Sequence, residues 1–520
     1  MPLPTALYQS APNRVKLRAV LALAATLSVT LASGCREAPP PPGGLVLALA
    51  SEPQSLDPRF GSDANAARLA DLLHAGLTRA DEAARRVPEL AARWEAPDPT
   101  TLVFHLRRDF RFADGTPVTA RDVQATYEAV RDPALASPKR AALAVVAAVE
   151  APDDATVVLR LRGPSAPILD ATGLGVLPAA RARNREEATI GAGPFRLVQA
   201  VRGDRLVLAP NPGYPDGPVR LDPLIVRIVP DEVVRVLELS RGGVQLVQDT
   251  PEPEMVGWLG RASDLVVRQG PGTSFAYLAL NLHDRRLADR RVREAIAAAL
   301  DREALVRHVL GGAARLASGL LAPEHWAHAP ARTPRHDPRR ARRLLDRAGY
   351  PDPDGQGPLP RFRLVYKTST QPGRRRLAEA IQADLAAIGI ALDVRTYEWG
   401  TLYADVRRGN FELSALAWVG VTDPDLYYLA FHSTMTPPEG YNRGRYASPV
   451  MDRLTTRGRA TLDPERRRAI YARVQARAAH DLPVVPLWWE DRVVVHTRRL
   501  RGFTPSPSGD LHGLARAWTE

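Results

Sequence analysis

The chain has 520 residues and a single cysteine, Cys35. No internal disulfide can brace the fold, so it must be held by buried apolar surface and backbone hydrogen bonds. The position of the thiol is equally restrictive. It follows a cationic segment (Arg14, Lys16, Arg18), an uncharged apolar run from Ala19 to Leu31, and the small residues Ala32, Ser33 and Gly34. Charged, apolar, small is the order of a secretory signal. The run is too short for a spanning helix, which needs about 20 residues. A free or intermolecularly bonded thiol is the alternative reading of Cys35, and an exposed thiol is a liability in an oxidising compartment. Residues 1–34 are read as the signal and 35–44, a Pro/Gly-rich stretch, as a semi-rigid tether.

Removing residues 1–34 takes three positive charges from the formal +12, leaving +9. Lysine occurs only at 16, 139 and 367, so nearly all of the 70 basic residues are arginine. They alternate with acids along the whole chain (RRARRLLDRAG, DPERRRAIYARV) and form no clustered basic face with interleaved aromatics, which argues against nucleic acid as a partner. What remains is too long for one ordinary core, so two or three domains are predicted.

The pattern alternates strand and helix. GLVLALA (44–50), TLVFHLR (101–107), TVVLRL (156–161), LIVRIVP (224–230), RFRLVYK (361–367) and ALDVRTYEW (391–399) read as strands bounded by turn residues. TARDVQATYEAV (119–130) opens with the capping-box pair Thr119 and Asp122. ADRRVREAIAAALDREALVRHVLGG (288–312) reads as helical, with a second cap at Asp301 and a stop at Gly311. The Asp-Pro pairs at Asp337 and Asp463 each announce a helix. Strand–helix–strand units of this kind build α/β lobes.

Several of these stretches resemble one known family. SEPQSLDP (51–58), PELAARWEAPDPTTLVFHLRRDFRFADGTPVTARDV (88–123), GAGPFRL (191–197), NPGYPDGPVRLDPLIVRIVPD (211–231), LALNLHDRRLADRRVREAIAAALDREALV (278–306), AIQADLAAIGIALDV (380–394), NRGRYASPVMDRL (442–454) and LPVVPLW (482–488) follow in family order. Together they resemble the extracellular solute-binding proteins of ABC importers, in the family 5 branch that binds peptides, nickel complexes and related solutes. The segment ending at Cys35 resembles a bacterial lipoprotein signal, with Ala32 where leucine is preferred and Leu31 one step further out. That resemblance implies a diacylglycerol on the Cys35 sulfur, and stable anchoring implies two or three acyl chains. The family implies an α/β fold of two lobes joined by two crossing strands. Lobe one would take 45–270 with a subdomain near 68–185, and lobe two 271–483; 484–520 would return to lobe one. It further implies a monomer facing the periplasm or cell exterior, with a permease and its ATPase as partners. No catalytic residue, metal or cofactor is implied. Presentation to a signalling partner, or an exported hydrolase, are the competing functions; the absence of a G-x-S-x-G elbow weighs against the hydrolase.

Family ligands lie against backbone and aromatic side chains near the hinge. The resemblance therefore implies contacts from Tyr277 and Asn281 in FAYLALN, Trp399, Trp418 in AWVGVTDPDLYY, and Trp488 and Trp489. The alternative for each aromatic is ordinary core packing. Peptide-binding relatives carry an aspartate shortly after the tryptophan of this motif, where it meets the peptide's ammonium. Here that position holds Val421, with Asp423 and Asp425 following. Either Asp423 takes the role through a one-residue shift, or the ligand lacks that ammonium. Gln245 in RGGVQLVQD replaces a family aspartate and is read as structural. EHWAH (324–328) lacks the zinc-protease pattern and is assigned to a surface loop; DPDGQG (352–357) lacks the full calcium-loop spacing and is assigned to a turn.

Overall fold

The computed structural model describes residues 43–61, 63–184, 189–248, 253–355 and 357–520. The signal, Cys35 and all of the tether except Gly43 and Gly44 lie outside them. No helix among the described residues is long and apolar enough to cross a membrane.

The chain opens with β1 (Leu45–Leu49), whose five residues are all buried. A short hairpin follows, β2 (Thr78–Ala80) with β3 (Arg86–Pro88). A separate antiparallel sheet comprises β4 (Ala91–Asp98), β5 (Thr101–Leu106), β6 (Val146–Asp153) and β7 (Thr156–Leu161). Next come β8 (Phe195–Val201), β9 (Arg205–Pro210), β10 (Leu224–Ile228) and β11 (Leu246–Val247). The sixteen-residue β12 (Leu265–Leu280) reaches from this first lobe into the second. There it is joined by β13 (Ala314–Leu316), β14 (Phe362–Ser369), β15 (Ile390–Tyr397) and β16 (Leu413–Trp418). β17 (Val484–Thr497) returns to the first lobe, and a two-stranded antiparallel pair, β18 (Leu500–Arg501) with β19 (Trp518–Thr519), closes the fold. The result is an α/β fold with two lobes built on one eleven-stranded sheet, ordered β15-β14-β16-β12-β17-β11-β1-β10-β9-β8 with β13 against β17.

Local chemistry explains the helix starts. Thr119 and Asp122 form the anticipated capping box. Asp301, Asp337 and Asp463 each accept a backbone N–H from the first turn of their helices, satisfying donors that a helix start leaves unpaired. The stretch 288–312 is interrupted at Leu300, where extended backbone separates the helix Arg290–Ala299 from Arg302–Val309. Gln245 accepts the Val46 N–H at 2.7 Å and donates to the Gly242 carbonyl, a purely structural use.

Side-chain alternation gives the second lobe two cores. On one face of the sheet Ala276, Leu278, Leu413 and Trp488 pack with Ala295, Ala341 and Ile381 of flanking helices. On the other, Phe275, Tyr277, Trp418 and Trp489 pack with Leu402, Tyr427, Met451 and Tyr471. His325, assigned from sequence to a surface loop, is instead 5 % exposed. Its Nε2 lies 3.0 Å from the Thr422 carbonyl, and burial lowers its pKa to about 4, so the neutral ring fastens one loop to another. Within the stretch 352–357 the Asp352 carboxylate accepts the Gly355 N–H, and Gln356 lies outside the described residues.

Candidate functional site

Strand direction locates a cleft. β1 runs parallel to β10 and β11, and β11 is antiparallel to β17. β17 is antiparallel to β12, β12 to β16, and β14 is parallel to both β16 and β15. The parallel strands of the two lobes therefore point their carboxyl ends at one another across the crossing strands. In open α/β sheets the crevice beyond those ends is where ligands bind.

A cavity of about 600 Å³ occupies this junction. The first lobe contributes Val256, Gln269 and Val493, and the second Arg374, Leu377, Ala415, Leu416 and Trp488. Glu490 enters from β17, two residues after Trp488 and hence on the same face. β14 pairs with β16 at one position, Tyr366 opposite Leu413. Beyond it, that edge of β16 has no partner strand among the described residues, and its backbone borders the cavity at Ala415 and Leu416. Val419, just past the strand, is 70 % exposed. An unpaired edge of this kind can accept an extended chain by main-chain hydrogen bonding.

The crossing strands meet in an irregular segment. Gly270 faces Arg492 and Ser274 faces Glu490, with a register shift between them. A Cβ at Gly272 would collide with the Glu490 carbonyl oxygen, so glycine is what allows the two strands to approach here.

The residues anticipated from sequence divide between the two sheet faces. Trp488 lines the cavity. Tyr277, Trp418 and Trp489 lie on the opposite face, in the second core. Tyr277 and Trp418 stack with centroids 4.1 Å apart and planes at 13°, and Phe275 stacks on both. Arg443 donates to the Tyr277 hydroxyl at 2.7 Å and lies over the Trp418 ring; burial pushes the Tyr277 phenol up to about 12. Trp399 is half exposed and stacks on Tyr403. Asn281 donates both amide hydrogens to backbone, at Gly409 and Phe411. Asp423 is held by Arg467 in a two-bond ion pair of 2.7 and 2.8 Å, and Val421 is buried.

The second lobe also meets the first at a rim, through the helix Pro449–Ala460 and the segment that carries Trp326. The Ala166 N–H donates to the Arg459 carbonyl at 2.8 Å, and Trp326 N–H to the Ala83 carbonyl at 3.1 Å. Arg459 lies 3.4 Å from Asp425, whose carboxyl is pushed up to about 6 by burial against the opposing pull of Arg459. Sequence reasoning overlooked Glu490 and Arg374. The available signal for the first was an acid pair inside the otherwise apolar run VVPLWWEDRVVV.

Among the described residues no group of three or more His, Cys, Asp or Glu side chains could hold a metal. Comparison with known proteins gives a consistent picture. The family model for bacterial extracellular solute-binding proteins, family 5, matches residues 85–438. A probable di/tripeptide-binding protein of Pseudomonas aeruginosa is 29% identical over 460 residues, covering 81% of this chain and 85% of the relative. The dipeptide-binding protein of Escherichia coli is 25% identical over 464 residues, covering 82% and 85%. Among solved structures, the Helicobacter pylori periplasmic binding protein DppA in complex with the peptide STSA superimposes with a TM-score of 0.74 at 25% identity, covering 92% of this chain and 98% of that one.

Proposed function

Because the chain belongs to the bacterial extracellular solute-binding proteins of family 5, we propose that it encloses a short peptide between its lobes and delivers it to an ABC import permease. The observation that carries this reading is the cavity at the facing carboxyl ends, bordered by the unpaired edge of β16. An extended peptide laid along that edge would gain main-chain hydrogen bonds independent of its side chains, while Trp488, Leu377 and Val493 supply apolar area. Contacts from both lobes would stabilise the closed form and give the permease a shape to recognise. Binding of this kind needs no chemical step, and the two relatives named above are peptide-binding proteins by name. We place the protein outside the cytoplasmic membrane, tethered through acyl chains on Cys35. The site contacts we assign are Trp488 and the backbone at Ala415 and Leu416; Trp399, stacked on Tyr403, is not among the residues that line the cavity.

The test is recovery of the natural cargo. Protein purified from its own membranes is denatured, and the released solute is identified by mass spectrometry. A peptide, recovered intact, supports the reading; a non-peptide solute, or a peptide cleaved during incubation, overturns it. The anchor is tested separately: Cys35→Ser should move the protein from the membrane to the soluble fraction, and retention at the membrane would refute lipidation.

A further inference from the structure

From the distribution of charge over the fold we propose that one face of the second lobe, the helical layer carrying Arg339, Arg343 and Arg347, docks on the headgroups of an anionic phospholipid bilayer. The inference rests on the placement beside a membrane proposed above and not on the nature of the solute.

Arginine alternates with acid along the sequence, yet folding separates the two. Between the crossing strands, residues 281–483 hold 34 Arg and Lys against 23 Asp and Glu, a net charge of +11, whereas the rest of the chain from Cys35 onward holds 33 against 35. Within the lobe the excess falls on one layer. The helices Arg285–Ala288, Arg290–Ala299, Arg302–Val309, Pro338–Arg347 and Pro372–Ala386 pack on a single core through Leu287, Ile296, Leu305, Leu345 and Ile381, against one face of the sheet. Ten arginines on these helices are exposed, against three carboxylates, Glu303, Asp346 and Glu379. The other acids nearby are engaged. Asp284, Asp289, Asp301 and Asp337 cap helix N-termini, and Glu294 pairs with Arg290 and Arg340.

Arg339, Arg343 and Arg347 recur every four residues, which sets them in one line on their helix, opposite the buried Ala341 and Leu345. None of the three makes an ion pair or a side-chain hydrogen bond among the described residues, and Asp346 on the same helix is paired with Arg361. Their guanidinium donors are therefore open to an outside acceptor. A protein partner is disfavoured, because such interfaces centre on apolar side chains and none of the exposed large hydrophobics stands on these five helices. Aromatics on which nucleic acid bases could stack are equally absent from this exposed face. Phosphate suits the guanidinium fork, which grips it through two parallel hydrogen bonds. Headgroups that move laterally need no fixed spacing between the arginines. The tether 35–44, fully extended, reaches about 35 Å, so acyl chains on Cys35 would keep the body within reach of the bilayer.

The test uses the Cys35→Ser chain, free of acyl chains, and co-sedimentation with vesicles of phosphatidylcholine alone or with about 30% phosphatidylglycerol. The parent chain should bind the anionic vesicles, more weakly as salt is raised, and leave the neutral ones. Arg339→Gln, Arg343→Gln and Arg347→Gln together should lower that binding about tenfold or more, since each basic residue near an anionic surface contributes a factor of about five. Arg339→Lys, Arg343→Lys and Arg347→Lys together keep the charge and should stay within about threefold of the parent. Arg466→Gln, Arg468→Gln and Arg473→Gln remove as much charge from the helix Pro464–Asp481, which packs on the opposite face of the sheet, and should also stay within about threefold. Equal losses in the two glutamine sets would make net charge the cause and overturn the docking face. Equal binding to both kinds of vesicle, or binding to neither, would overturn it as well. Binding to the cell's own membranes but not to vesicles of their extracted lipids would give the face to a membrane protein and refute the bilayer. A high-salt wash removes this contact from the fractionation test of the anchor, so failure of the docking face leaves the anchor standing.

Discussion

Trp418→Ala separates a core tryptophan from a ligand-binding one. The side chain is 9 % exposed, lies flat on Tyr277 at 4.1 Å, and has Phe275 at 6.1 Å and the Arg443 guanidinium 5.8 Å from its ring. A buried tryptophan removes roughly 200 Å² from water, which at about 25 cal/mol per Å² amounts to about 5 kcal/mol before the alanine's share is subtracted. Large-to-small replacements of this type cost about 3–5 kcal/mol, and loss of the cation–π contact adds about 0.5 kcal/mol or more. A destabilisation of about 4 kcal/mol follows, read as a fall in urea midpoint followed by circular dichroism, with Trp418→Phe recovering most of it. Because the ring faces away from the cavity, trialanine affinity measured well below the unfolding transition should change less than threefold. Unchanged stability together with a loss of affinity of tenfold or more would refute the placement of Trp418 in the core.

Asp423→Asn should cost about 3 kcal/mol, because Arg467, only 6 % exposed, loses its carboxylate partner; lost ligand affinity without lost stability would instead make Asp423 a ligand group. Gly272→Ala should destabilise by about 2 kcal/mol or more by forcing β12 from the Glu490 carbonyl, whereas Gly270→Ala, with open space around it, should do so by less than about 1 kcal/mol in the same urea titration; equal effects would deny the close approach. Asp425 has a folded-state pKa raised from 3.8 to about 6, so its contribution is present below pH 3.8 and is lost as the pH rises through 6. Asp425→Asn should therefore recover part of about 3 kcal/mol at pH 7, less the Arg459 contact, and nothing at pH 3.5; a variant that gains nothing at pH 7 would contradict the assigned burial cost.

Elements with strong local signals were readable from the sequence. β1, the capping box at Thr119 and the aspartate caps at 301, 337 and 463 each depend on residues close in the chain, which a linear reading can see. Side-chain facing was harder. Trp488 and Trp489 are adjacent, yet one lines the cavity and the other joins the Tyr277–Trp418 core, because a strand sends neighbours to opposite faces and the register that decides which is set by a distant strand. Asp423 looked available because Arg467, its partner, is 44 positions away. His325 looked like a surface residue because its partner, the Thr422 carbonyl, is 97 positions away. In each case the deciding contact was tertiary.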